Sequence, residues 1–251
     1  MDNKNALVDL HVHTVASSHA YSTIYEYIME AGRKGLKMIG ISDHGTELVD
    51  GAYHKWHFDN LDCVPSYRDG VIILKGIEAN IKDDGSTDCK QSYLEHLDYI
   101  TAGFHGPLYS AGGDKAKNTN ILIKVISSGT VDIITHPANS RYPLDLEHII
   151  EVAAANNVAL EINSSIYSRR GEENEQMAVE LIKCAVAHHA PLIIGSDAHI
   201  CFNLGDFSLA YRLFERAGCP VDYALNSNPG KVIEFLVSRS HKQLHDLMKY
   251  C

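Results

Sequence analysis

Seven short apolar runs punctuate the chain, at residues 6–10, 38–41, 71–77, 99–104, 131–135, 158–162 and 191–195. Each has strand length, and most are rich in Val and Ile with little alternation, as in strands covered on both faces. Amphipathic stretches lie between several of them. Thr23-x-x-Glu26 reads as a capping box that opens a helix stopping at Gly35. Ile121, Leu122, Val125 and Ile126 share one helical stripe, and Leu146, Ile149, Ile150 and Ala153 share another behind Asp145 as N-cap. Met177, Leu181, Ile182, Ala185 and Val186 form a third, and Asn228-Pro229 sets an N-cap and first-turn pair before Val232, Ile233, Phe235 and Leu236. Strands joined by crossover helices imply a parallel sheet, and a (β/α) barrel occupies about 250 residues. Seven strands instead of eight predict a distorted, incompletely closed (β/α)7 TIM-like barrel of class α/β, one domain over residues 1–251. The polar segments 45–69 and 82–92 read as long loops.

Composition adds exclusions. The 251 residues are 45% hydrophobic and 22% charged, too apolar for a disordered chain and too mixed for a fibrous one. The formal charge of −10 supplies no basic field to draw in nucleic acid or an anionic membrane. No run approaches the ~18 apolar residues of a membrane span, and the polar start has no signal-peptide pattern, so the expected location is the cytoplasm. The six cysteines form no Cys-x-x-Cys pair and read as reduced packing thiols. Fifteen histidines are out of proportion in an acidic chain, and they point toward metal.

Those histidines fall where strands end. The first strand closes in Asp9-Leu10-His11-Val12-His13, with His19 on the following loop, and the second in Asp43-His44. Glu78, His105 and His136 end the third, fourth and fifth, and Asp197-x-His199 ends the seventh. In a barrel all of these project into the C-terminal mouth, where active sites of this architecture form. A two-residue step places His11 beside His13 and Asp197 beside His199. Seven imidazoles and two carboxylates without a thiolate suit two or three divalent metals with a bridging carboxylate. Zinc leads that expectation, and manganese and iron are compatible.

Other residues admit two readings each. Asp9 and Asp43 either orient ligand imidazoles or accept backbone hydrogen bonds at strand ends. His54, Trp56 and His57 are a pocket wall or an ordinary surface loop. Arg141, Arg169 and Arg170 are candidate phosphate clamps through their guanidinium forks, against a solvated alternative. His96, His148, His188, His189, His241 and His245 read as structural.

The series from Asp9-Leu10-His11-Val12-His13 through His19, Asp43-His44-Gly45, Glu78, His105, His136 and Asp197-x-His199 resembles the PHP (polymerase and histidinol phosphatase) superfamily. The runs 9–22, 42–45, 76–82 and 159–164 are similar to its YcdX-type phosphatases, and the likeness covers nearly the whole chain. The resemblance implies a trinuclear site: His11, His13, Glu78 and Asp197 at one metal, Glu78 bridging to a second with His105 and His136, and His19, His44 and His199 at a third. Clustered divalent ions at one mouth in turn point to hydrolysis of a small phosphorylated substrate by a metal-bridging hydroxide, and the residues' own chemistry offers Asp9 and Asp43 as support and Arg141, Arg169, Arg170, Trp56 and His57 for binding. The alternatives are a phosphodiesterase or exonuclease on short nucleic acid, since the charge of −10 disfavours only a long one, and a non-catalytic metal-binding or regulatory module.

Overall fold

The computed structural model describes residues 6–49, 51–52, 54–106, 108–165 and 171–251. In chain order the elements are β1 (Val8–Val12), α1 (Ile24–Lys34), β2 (Met38–Ile41), α2 (Trp56–Asp59), β3 (Tyr67–Arg68), β4 (Val71–Asn80), β5 (Tyr99–Gly103) and α3 (Lys115–Ile126). There follow β6 (Ile133–Ile134), α4 (Leu146–Ala155), β7 (Ala159–Asn163), α5 (Glu172–Ala187), β8 (Leu192–Gly195), α6 (Ser208–Ala217) and α7 (Pro229–Ser238). Seven strands pair in parallel in the order β1-β2-β4-β5-β6-β7-β8, and the two-residue β3 adds antiparallel to β4. The result is a nearly closed seven-stranded parallel barrel with helices outside. Among the described residues no helix is long and apolar enough to cross a membrane.

Local signals hold the helices where the pattern puts them. Thr23 accepts the Glu26 N–H while the Glu26 carboxylate accepts the Thr23 N–H, and Gly35 closes α1 at φ 77°. Asp145 and Asn228 cap α4 and α7. α6 is a helix the apolar pattern did not single out, although Leu209, Ala210, Leu213 and Phe214 all face inward and Gly218 ends it. The segment 45–69 is also more ordered than a loop, since it carries α2, a 3-10 turn at Leu61–Cys63, and β3.

Two-residue alternation divides the barrel into an apolar floor and a polar mouth. Val8, Leu10, Met38, Ile72, Leu74, Tyr99, Ile133, Ala159 and Ile193 pack together inside the lower half, closed below by Val232, Ile233 and Leu236 of α7. Further along the same faces stand Glu78 on β4 and Glu161 on β7. β1 needs one irregularity to follow suit. Asp9 pairs with Ile39 but Val12 pairs with Ile41, so one extra residue is inserted between them. That bulge lets Leu10 point to the floor and His11 to the mouth despite being adjacent.

The barrel seam lies between β1 and β8, which share no ladder among the described residues. Val12 and Ala198 form one bridge above it. Below, the buried Asn226 side chain accepts from Ile194 N–H at 2.5 Å and donates to the carbonyls of Ile194 and Val8 at 2.8 and 2.7 Å. One amide thus stands in for the missing ladder.

Candidate metal centre

Glu78 is the pivot of the mouth. It is fully buried in β4, which runs through to Asn80 and does not stop at the carboxylate as the apolar run suggested. Five imidazoles face it. Its Oε1 lies 3.2 Å from His136 Nε2 and 3.4 Å from both His11 Nε2 and His105 Nε2. Its Oε2 lies 2.9 Å from His44 Nδ1 and 3.5 Å from His13 Nε2. Thr135 Oγ1 donates to Oε1 at 2.8 Å. Asp197 is the second carboxylate, with Oδ1 3.4 Å from His13 Nε2, 3.4 Å from His199 Nδ1 and 3.6 Å from His11 Nε2.

The remaining rings close the group. His11 and His13 approach Nε2 to Nε2 at 3.1 Å, and His19 and His199 at 2.7 Å. The His44 ring stacks on His13 at 4.3 Å and on His19 at 5.3 Å between centroids. All nine residues expected as ligands therefore converge. Three subsets bring their donor atoms within 4.8 Å: His11, His13 and Asp197; His44, Glu78 and His105; and His13, His44 and His199. His44 thus borders both Glu78 and the outer rings. His19 is exposed and His105, Asp197 and His199 are half-buried, so the cluster opens to solvent on that side.

The chemistry of this donor set fits divalent cations. Burial, with His44 and His199 alongside, holds His13 near a pKa of about 3, so its ring is neutral and able to ligate. Burial disfavours a charged Glu78, but His11, His105 and His44 outweigh it and hold the carboxyl well below its usual range. The Nδ1 atoms of His13 and His105 are buried without a hydrogen-bond partner. A neutral His13 ring beside an ionised Glu78, in a donor set of imidazoles and carboxylates alone, is what bound divalent cations require.

Positive φ marks two of the nine, His136 at 36° and Asp197 at 53°. Each sits just past a strand end, where the unusual backbone turns the side chain back over the barrel. Asp197 and His199 meet through this turn, since β8 has already ended at Gly195, and not through a strand's two-residue step.

One further carboxylate is hidden inside the apolar run 158–162. Glu161 is buried, and its Oε1 lies 2.6 Å from His11 Nδ1 while its Oε2 accepts from His136 N–H at 2.8 Å and Asn163 Nδ2 at 3.1 Å. It fixes the tautomer and aim of His11, whose pKa rises well above the usual value because Glu161, Glu78 and Asp197 overcome burial. Gly195 makes room for it, since a Cβ there would collide with Glu161 Oε1.

The other candidates separate. Among the described residues Asp9 forms no ion pair with an imidazole; it accepts backbone N–H groups from His11, Ser196 and Gly205 and helps close the seam. Burial raises its pKa. Asp43 faces His57, with Oδ2 3.0 Å from Nε2. Arg141 is exposed, its guanidinium against Gly106 and 5.5 Å from the Tyr142 ring centroid. Among the described residues no carboxylate pairs with it. Trp56 is exposed, with its ring 4.8 Å from that of His54. Arg169 and Arg170 lie outside the described residues.

A parallel barrel with a buried imidazole–carboxylate centre at its C-terminal mouth defines a class of metal-site proteins. A model of the PHP domain matches residues 9–165. A "probable phosphatase" of Shewanella sediminis is 46% identical over 96% of this chain and 97% of its own length, and one from Shewanella oneidensis is 46% identical over 97% and 96%. The chain belongs to the PHP domain family. The fold is shared with the histidinol phosphate phosphatase of Lactococcus lactis, solved with zinc, L-histidinol and phosphate (TM-score 0.58, 15% identity, 86% of this chain and 95% of that one). It is shared equally with a chain of an archaeal ribonuclease P bound to mature tRNA (TM-score 0.61, 14% identity, 93% and 91%). Fold alone therefore does not separate small phosphoesters from nucleic acid.

Proposed function

We propose that the protein is a metal-dependent phosphatase that hydrolyses small phosphomonoesters at a trinuclear centre. The observation that carries the reading is Glu78: one buried carboxylate faced by five imidazole nitrogens, at the open end of a barrel. His11, His13, Glu78 and Asp197 would hold one ion, Glu78 with His105 and His136 a second, and His19, His44 and His199 a third. Zinc is the expected metal, the one bound in the Lactococcus lactis enzyme, with manganese or iron compatible with the same ligands. Bound divalent ions supply Lewis acidity, polarising phosphoryl oxygens and acidifying water toward a pKa of ~7.

The chain's own residues do the rest. Glu161 fixes His11, and Thr135 fixes Glu78. Arg141, exposed and without a carboxylate partner among the described residues, is a guanidinium fork available to a phosphate entering beside His105 and Gly106. The overall charge of −10 tells against a long polyanion and says little about a single phosphate at a metal-loaded mouth.

Turnover of p-nitrophenyl phosphate and small alkyl phosphates by protein reconstituted with zinc or manganese, with and without chelator, tests the reading. Metal-dependent phosphate release is expected. Failure on every monoester in metal-replete protein would refute it, and exclusive cleavage of bis-p-nitrophenyl phosphate would make the enzyme a diesterase.

A further inference from the structure

Expelling an alcohol from phosphate needs a proton at the ester oxygen, and the nine clustered residues are poorly placed to give one. Glu78 and Asp197 would be taken up as ligands, and imidazoles that ligate a cation have no proton to spare on the ligating nitrogen. Arg141 does not deprotonate. Beside this cluster stands one more imidazole, His57, whose closest acidic partner is Asp43 and neither Glu78 nor Asp197.

Asp43 is fully buried and already well held. Its Oδ1 accepts from Thr14 N–H at 2.7 Å and Ser17 Oγ at 2.8 Å, and its Oδ2 from Thr14 Oγ1 at 2.8 Å. Holding that carboxylate in place does not require a histidine as well. The surroundings place the pair at the mouth: Thr14 follows His13, Asp43 precedes His44, and Ser17 Oγ accepts the His44 N–H at 3.1 Å. His57 sits on α2, which Phe58 anchors by burying its ring against Tyr93 at 5.0 Å. The His57 side chain is 19% exposed and Asp43 0%, so the imidazole bridges a dry carboxylate to an accessible surface.

The geometry points to His57 as the general acid of the phosphatase reaction, held by Asp43 through Nε2 and donating from Nδ1 to the leaving oxygen. This rests on the phosphomonoester reading. Water adds to phosphorus, the P–O bond to the alcohol breaks, and the departing oxygen takes the proton from His57. Water's two hydrogens leave with dihydrogen phosphate, and neutral His57 is reprotonated from that product or from solvent. A buried carboxylate 3.0 Å behind the ring fixes its orientation, as a carboxylate–histidine pair does in acyl transfer.

The test compares leaving groups in His57→Gln, whose amide keeps a donor for Asp43 and carries no transferable proton. p-Nitrophenolate leaves without protonation and an alkoxide does not. Expected is kcat on p-nitrophenyl phosphate within about threefold of wild type, and kcat on glycerol phosphate lower by about 10²–10⁴. In His57→Ala, added imidazole should restore the alkyl phosphate reaction selectively. Equal loss on both substrates with metal content unchanged would overturn the assignment, as would undiminished glycerol phosphate turnover in either variant. If His57→Ala does not fold, His57→Gln decides alone; if His57→Gln itself fails to fold or to hold metal, His57 is structural and the assignment falls. Wild-type turnover of p-nitrophenyl phosphate separately reports whether the phosphatase reading stands.

Discussion

Asn226 should be among the most destabilising positions in the molecule, although it lies far from the mouth in the apolar floor. Asn226→Leu keeps the volume and removes every polar atom of the side chain. It strands one buried N–H, that of Ile194, and two buried carbonyls, those of Ile194 and Val8. Each unsatisfied buried group costs ~1–3 kcal/mol, and carbonyls that retain another partner fall at the low end. A loss of about 3–6 kcal/mol follows, a large part of the ~5–15 kcal/mol that holds a typical domain together. For a chain of this size that lowers Tm by roughly 6–24 °C. Urea unfolding followed by circular dichroism, with chelator present so that metal binding does not add to the native state, measures it. Asn226→Asp supplies a sharper signature. A carboxylate can accept from Ile194 N–H but has nothing for either carbonyl, and its buried charge raises its own pKa. That variant should gain stability as pH falls and lose it as pH rises. An Asn226→Leu protein within about 1 kcal/mol of wild type would show that β1 and β8 hold together without the amide, and the account of the seam would be wrong.

Glu161→Ala and Gly195→Ala should each weaken metal binding by about 10–100-fold without touching a ligand, one by removing the partner of His11 Nδ1 and the other by displacing it. Competition with a chromophoric chelator measures this, and unchanged affinity in both variants would detach Glu161 from the centre. Asp98 accepts the Lys75 N–H at 2.9 Å, yet burial outweighs Lys75 and raises its pKa. The folded state therefore binds that proton more tightly than the unfolded chain. Its contribution is fully present below about pH 4 and is lost as pH rises through the raised value. Asp98→Asn should accordingly gain on wild type between pH 4 and 7, and parallel stability–pH curves would contradict this. Burial also pushes the Cys89 thiol up to about 12, while Cys63 is exposed. A maleimide at pH 8 should label Cys63 well before Cys89, as peptide mapping of partly modified protein would show, and equal labelling would argue against the described burial.

Much of the barrel was legible because its signals are short-range. A capping box, an N-cap followed by Pro and a Gly at the end of a helix act within four residues, and α1, α4 and α7 begin or end where these stand. What escaped depends on distant partners. The bulge in β1 exists because Val12 pairs with Ile41 and not with the residue that strict register would give it. Asn226 reads as one more polar residue in Leu225-Asn226-Ser227 until Val8 and Ile194 are seen on either side of it. α6 is a different case, because its stripe and its closing Gly218 are both local and present in the sequence.

The site divides along the same line, and Glu161 shows why. Eight of the nine candidates stood out because each interrupts the chain within a few residues of the end of an apolar run, and His19 follows on the loop after the first. Glu161 lies inside such a run, and a count of apolar residues absorbs it. Steps of two separate it at once. β4 carries Ile72, Leu74, Gly76, Glu78 and Asn80 on its inner face, β7 carries Ala159, Glu161 and Asn163, and β8 carries Ile193 and Gly195. Each inner face turns from apolar to polar or small on the way up, so an acidic residue in step with them belongs to the mouth and not to a coat of solvent. The glycines belong to the same pattern. A barrel interior has a fixed cross-section, so a layer holding Glu161 and two imidazoles must place something small beside them, and Gly195 and Gly103 meet that need against Glu161 and against Thr135 with His136. A glycine in step with an unexplained inner carboxylate is thus a readable sign that the carboxylate is packed against something and aimed.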